Sequence, residues 1–339
     1  MKLAIMGAGS LGTILGAYIQ KGGMDIDFID ANEENVKVLN EKGATVTGQV
    51  EFNIPVKAYT PENMQGTYDV VFYVVKQTYN EAALKQLLPH LGKDSMVVTL
   101  QNGVPEPAVA EIVGAERTAG CPVGWGATWL GPGVSELTSN PEIMSFDLGA
   151  YTGGITEKII KVKEILELMC TTVLEENLMG SRWTKVLVNS TFSGMSTVLG
   201  CTFGDILDDE HALNCVKHIA NECIEVGKAA GIKMEPIQGH DIGSMLGFKT
   251  KSEMDSKDPI YKATWGPHRK LKASMLQDLE KGRRTEIDAI NGIVCSFGKK
   301  YGVATPVNEQ VVNIVKGIES GKYKYEYANL QLFTLPEVK

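Results

Sequence analysis

An apolar run, Lys2-Leu3-Ala4-Ile5-Met6, leads directly into Gly7-Ala8-Gly9-Ser10-Leu11-Gly12, and a helical pattern follows from Leu11 to Gln20. Few folds accept that order. The run predicts a parallel strand buried on both faces. The glycines fit G-x-G-x-x-G, and each has a physical task. Gly7 permits the tight turn out of the strand, Gly9 lets backbone approach a pyrophosphate, and Gly12 allows close helix–strand packing. Ala8, Ser10 and Leu11 complete a loop whose pyrophosphate would sit on the positive end of the helix. Asp30 ends the next predicted strand, Ile26–Ile29, where a carboxylate can bond ribose hydroxyls. Alone the motif is weak. Its place between strand and helix, with Asp30 following, reads as a dinucleotide site; the alternative is a glycine-rich turn without ligand.

The same alternation continues. A helix is expected over about Glu33–Glu41, short strands within Ala44–Tyr59, a buried strand at Val70–Val75, a helix at Asn80–His90 and a strand at Met96–Leu100. Strands alternating with helices imply βαβ units and a mostly parallel sheet. After about Gly149 the character changes, and from Glu157 onward the pattern is nearly all helical. Long amphipathic stretches cover about Glu176–Val198, Glu210–Ala230, Leu271–Tyr301 and Asn308–Ser320. The fold class is therefore α/β, with an N-terminal Rossmann-type doubly wound sheet over residues 1–178 and a C-terminal all-α domain over residues 179–339. The segment Ile237–His268 is polar, with several Gly and Pro, and reads as a surface insertion or lid.

At 339 residues the chain suits two domains, and its 43% hydrophobic and 22% charged content is that of a globular protein. A net charge of −8 is poorly suited to neutralising nucleic-acid phosphates or to an anionic membrane surface. The N-terminal run could open a signal peptide, but its glycines arrive too early to leave an apolar core segment. The six cysteines form no C-x-x-C pair and no cluster with His, so reduced cysteines, no metal and a cytoplasmic location are expected. A homodimer is left open.

Polar residues then appear where a core would prefer apolar ones. Lys76 follows Val70–Val75, and Asn102 follows Met96–Leu100. Ligands of open α/β sheets bind beyond the carboxyl ends of strands. Both residues should face a cofactor; the alternative is that they satisfy turn backbone. Lys185 and Asn189 are four apart in the helical run Arg182–Asn189 and share one face. Spacing alone leaves them either solvated or functional.

Taken together, GAGSLG, the VVKQ and QNGV strand ends, RWTKVLVN and SMLQDLEKGRRTEIDAINGIV resemble the ketopantoate reductase family over nearly the whole chain, the last segment (Ser274–Val294) being the most specific. The resemblance implies that Lys185 is a general acid, protonating the alkoxide as hydride reaches C2 of a small 2-keto acid. Glu286 would bind substrate and hold the lysine. Ser274 would bond the substrate carboxylate. Asn102 and Asn189 would be amide ligands of substrate or nicotinamide, Lys76 would stand near the cofactor, and Glu222 would be a supporting acid.

Two positions depart from the family pattern. Ser193 stands where a second Asn usually meets the ketopantoate hydroxyl, so it is the substrate-facing residue here. Asp30-Ala31-Asn32 stands where NADPH-dependent members place a basic residue for the 2′-phosphate. NADH or NADPH is the expected cofactor, with NADH preferred on the Asp30 argument. Reduction of ketopantoate to (R)-pantoate in pantothenate biosynthesis is the leading function. An NAD-dependent (R)-2-hydroxyacid dehydrogenase acting on branched 2-keto acids is the alternative within the fold. A non-catalytic NAD(P)-sensing regulator is the alternative outside it, disfavoured by Lys185 and Glu286, since a sensor needs no proton donor.

Overall fold

The computed structural model describes residues 1–236 and 240–338. The chain divides into two compact units, the first formed by Met1–Gln101 and Pro105–Leu178, the second by Asn102–Val104 and the chain from Met179 onward.

In the first unit the elements follow in the order β1 (Leu3–Met6), α1 (Ser10–Lys21), β2 (Ile26–Ile29), α2 (Glu33–Lys42), β3 (Ala44–Gly48), β4 (Phe52–Ile54), β5 (Lys57–Tyr59), β6 (Tyr68–Tyr73), α3 (Asn80–Leu87), β7 (Leu91–Thr99), α4 (Glu106–Val113), β8 (Thr118–Gly120), β9 (Ala127–Gly131), β10 (Val134–Leu137), β11 (Ser145–Ala150), α5 (Glu157–Leu166) and β12 (Thr171–Leu174). The main sheet runs β12-β11-β8-β7-β6-β1-β2-β5 and is parallel except where β11 meets β8. Along β1 the side chains alternate between two buried faces. Leu3 and Ile5 join the cluster that holds Ile14, Leu15 and Ile159, while Ala4 and Met6 join the one that holds Leu84, Leu87 and Val109. That double burial is why the run carries no polar alternation. The chain leaves β1 towards β2 and later returns to β6 on the other side, so the strand order switches direction between β1 and β6.

A second sheet, β4-β3-β10-β9, lies against α1. Its β3 and β4 lie in the stretch Ala44–Tyr59 where short strands were expected, whereas β8 to β12 were not expected from the sequence. The strand β12 is the exception to the nearly all-helical pattern read from Glu157 onward. It has four residues at the sheet edge with Val173 exposed, too short and too exposed to show a strand period.

The second unit is helical: α6 (Leu178–Leu199, its first residue belonging to the first unit), α7 (Phe203–Asp208), α8 (Glu210–Ala229), α9 (Ile242–Leu246), α10 (Lys251–Ser256), α11 (Asp258–Trp265), α12 (Ser274–Glu280), α13 (Ile287–Tyr301) and α14 (Pro306–Glu319). Its core joins Trp183, Leu187, Phe192 and Met195 of α6 with Val216, Ile219 and Cys223 of α8 and Val294, Val311 and Val315 of α13 and α14. Gly227 lets Trp183 reach the Cys223 carbonyl with its indole N–H (3.0 Å), since a Cβ at Gly227 would meet that nitrogen at 2.5 Å. Among the described residues, no helix is long and apolar enough to cross a membrane.

Two expectations need correction here. The stretch Leu271–Tyr301 is not one helix. It breaks between α12 and α13, where Gly282 takes a positive φ of 67° and the exposed Lys281, Arg283 and Arg284 have no core to hold them in a helix. Nor is Ile237–His268 a surface lid, although Ile237, Gln238 and Gly239 lie outside the described residues. Its helices α9–α11 bury Ile242, Leu246, Met254, Tyr261 and Trp265 in the core, with Trp265 stacked on Phe192 at 4.8 Å. Its polar composition belongs to the outward faces of short helices.

Candidate functional site

In the first unit the site begins where β1 ends. Gly7 has φ +99°, and a Cβ there would meet the backbone of Val74 and Val75 at 2.8–2.9 Å. The turn is thus pressed against the chain leaving β6, at the point where the strand order switches. Gly12 is needed for packing, because a Cβ would lie 2.0 Å from the Gly7 carbonyl oxygen. Gly9 differs from both. Nothing lies within 4 Å of where its Cβ would be, and it caps α1 without a side chain. Its open side, at the N-terminus of a 12-residue helix, is a cradle that fits a dinucleotide pyrophosphate.

Asp30 follows β2, and its Oδ1 accepts the Asn32 N–H at 2.8 Å. Burial raises its carboxyl above the usual range, opposed by the Asn32 N–H, the Asn35 amide and the Ala8 N–H. The carboxylate therefore lies beside the glycine turn. Ser10 and Leu11 form the first turn of α1. Lys76 is half-buried, just past the end of β6, and opens the 3₁₀ turn Gln77–Tyr79. Gln101 ties the ends of two strands together, donating to the Val75 carbonyl and to Asn80 Oδ1.

In the second unit, Asn102 and Glu286 come together: Asn102 Nδ2 donates to Glu286 Oε2 at 3.0 Å across 184 positions of sequence. Backbone packing holds the pair in place. Gly103 takes φ +73°, and a Cβ there would strike the Ala289 carbonyl oxygen at 2.2 Å, so only glycine lets the backbone of Asn102–Val104 lie on the first turn of α13. Glu286 is the N-cap residue of α13 and is half-buried.

Lys185, Asn189 and Ser193 sit at successive four-residue steps of α6, all half-buried among buried neighbours such as Val186, Leu187 and Phe192. α6 is tied to α13 by Asn291, whose Nδ2 donates to the Ser190 carbonyl (3.2 Å) and to Asn308 Oδ1 (3.0 Å). Ser274 is the first residue of α12 and is exposed. Glu222 is 8% exposed and accepts the backbone N–H groups of Val307 and Asn308 at 2.9 Å and the Asn308 amide at 2.8 Å. It therefore caps α14 from a neighbouring helix. Burial pushes its carboxyl up to about 7, the three N–H donors pulling the other way.

Sequence reasoning missed Asn35, Asn291 and Asn308. Each is an amide at a buried helical position, and each now holds two or more chain segments together. A polar residue on the core-facing side of a helix was the signal available for the last two.

The family model "Ketopantoate reductase PanE/ApbA" matches residues 3–150, and "Ketopantoate reductase PanE/ApbA C terminal" matches residues 177–319. A 2-dehydropantoate 2-reductase from Pyrococcus horikoshii is 27% identical over 322 residues, 94% of this chain and 98% of that protein. A ternary structure of D-mandelate dehydrogenase with NADH and anilino(oxo)acetate superposes with a TM-score of 0.80 at 25% identity, over 95% of this chain and 99% of the other. A 2-dehydropantoate 2-reductase structure from Geobacter metallireducens gives 0.78 at 26% identity, over 93% and 99%.

Proposed function

The chain belongs to the ketopantoate reductase family, and on that premise we propose that it reduces 2-dehydropantoate (ketopantoate) to (R)-pantoate, with Lys185 as general acid. When bound, the nicotinamide cofactor supplies the hydride that adds to C2 and leaves oxidised. The chain's own residues do the rest. Gly9 and the α1 N-terminus hold the pyrophosphate, and Asp30 accepts the ribose hydroxyls. Lys185 gives its proton to the C2 oxygen as charge builds there, so the carbonyl becomes a hydroxyl. Glu286 faces the substrate and takes part in holding the lysine, and Asn102 fixes the direction of its carboxylate.

The observation that carries this reading is the Asn102–Glu286 hydrogen bond in the same unit as Lys185 and Asn189. Hydrogen-bonding side chains from a strand end and a helix start are brought together where packing alone would prefer apolar ones. A turnover panel tests it, comparing ketopantoate, 2-ketoisovalerate and 2-ketoisocaproate, each with NADH and with NADPH. The expected result is highest kcat/KM for ketopantoate.

One observation favours a second reading. Ser193, one turn beyond Asn189 on α6, is shorter than the amide usual in the family and reaches less far towards a substrate hydroxyl. On this reading the chain is an (R)-2-hydroxyacid dehydrogenase of branched 2-keto acids, and 2-ketoisovalerate or 2-ketoisocaproate would lead the panel.

A further inference from the structure

The side chain of Asn35 is buried, at 2% exposure, in a helix otherwise rich in Glu and Lys. A buried primary amide is costly unless its donors and acceptor are engaged. Here Nδ2 donates to the Ala8 carbonyl at 3.0 Å, and Oδ1 accepts the Gly133 N–H at 2.8 Å. The same amide lies against the Asp30 carboxyl and favours its charged form. One side chain thus joins the turn after β1, the end of β2 and the β9–β10 hairpin of the second sheet. The Ala8 carbonyl also accepts Thr13 Oγ1 at 2.9 Å, so it is held from two sides. The Ala8 N–H, on the preceding peptide, acts on the Asp30 carboxyl from the same turn and favours its charged form. The backbone of α2 starts in register for this, with Asn32 Oδ1 accepting the N–H groups of Glu34 (3.0 Å) and Asn35 (3.2 Å).

We propose that Asn35 is a positioning residue for the dinucleotide site, fixing the Gly7–Gly9 turn and the Asp30 carboxylate in one arrangement and so setting the preference for an unphosphorylated ribose. This rests on the assignment of the glycine turn and Asp30 to the cofactor. The chemistry requires an amide. A carboxylate at position 35 keeps the acceptor for Gly133 but has no donor for the Ala8 carbonyl, and it brings a second negative charge beside Asp30. A glutamine adds a methylene where almost no surface is exposed.

The test is direct titration of NADH and NADPH by isothermal calorimetry, without keto acid. The proteins are wild type, Asn35→Ala, Asn35→Asp, Asp30→Ala and the double variant Asp30→Ala with Asn35→Ala. Loss of the hydrogen bond that holds the Ala8 carbonyl predicts that Asn35→Ala weakens NADH about five- to tenfold and NADPH by less. Asn35→Asp retains an acceptor for the Gly133 N–H, and it should weaken NADH at least as much. In the Asp30→Ala background the Asn35→Ala effect should shrink to less than about twofold, the signature of residues acting through one another. Equal weakening of both cofactors, or full additivity with Asp30→Ala, would reduce Asn35 to a structural residue and overturn the proposal. So would unaltered NADH affinity in Asn35→Asp. Wild-type protein that binds neither cofactor would instead remove the cofactor assignment itself.

Discussion

Asn102 donates a hydrogen bond to the Glu286 carboxylate at 3.0 Å, joining two residues 184 positions apart in sequence, the second of them the N-cap of α13. Asn102→Asp would set two carboxylates at hydrogen-bond distance, where one must keep a proton. The acid limb of the kcat/KM profile for ketopantoate should then move to higher pH. Glu286→Ala should raise KM and lower kcat together. A Glu286→Ala protein with a lower melting temperature and ordinary kinetics would make Glu286 a structural acid only.

Gly9 and Gly12 should respond differently to the same change. Gly9→Ala adds a methyl group to open space, so the melting temperature should stay within about 2 °C while NADH affinity falls on the order of tenfold or more. Gly12→Ala places a Cβ 2.0 Å from the Gly7 carbonyl and should destabilise the protein outright. Calorimetric melting and NADH titration of both variants separate the two. If Gly9→Ala binds NADH normally, the cradle is not the pyrophosphate site.

Glu222 makes stability depend on pH with a definite sign. Its carboxyl titrates near 4.5 when unfolded and is pushed up to about 7 by burial in the fold. The native state therefore holds the extra proton between those values. The contribution is full below about 4.5 and is lost as pH rises through about 7, a range worth up to about 3 kcal/mol. Scanning calorimetry should show that the advantage of wild type over Glu222→Gln is larger at pH 5 than at pH 8. An advantage that grows with pH would mean that the three N–H donors outweigh burial.

Asp30 should decide cofactor choice. A carboxylate beside the ribose accepts its hydroxyls, and it repels a 2′-phosphate of about −2 charge. The kcat/KM ratio should favour NADH, relax in Asp30→Ala, and reverse when Arg is placed at Ala31 or Asn32. Wild type that favours NADPH tenfold would refute this reading of Asp30.

Much of the first sheet was legible because β1 and the stretches Val70–Tyr73 of β6 and Met96–Val98 of β7 run without a polar break, and burial on two faces leaves that mark. The strands β8 to β12 were not. The longest has six residues, and several turn half their side chains to solvent or to the edge. The break between α12 and α13 was hidden because Lys281, Arg283 and Arg284 are good helix formers, and only Gly282 signals the turn. The residues carried by resemblance were found by motif, since no spacing rule pairs Asn102 with Glu286. Asn35 left no trace, because a single amide among Glu33, Glu34 and Lys37 reads as surface.

The proton donor can be examined most directly through kcat of Lys185→Ala against wild type, with ketopantoate and NADH saturating. Loss of a general acid predicts a fall on the order of 10²-fold or more, with the NADH dissociation constant unchanged. Equal kcat in the two proteins would contradict the role of Lys185, and with it the mechanism.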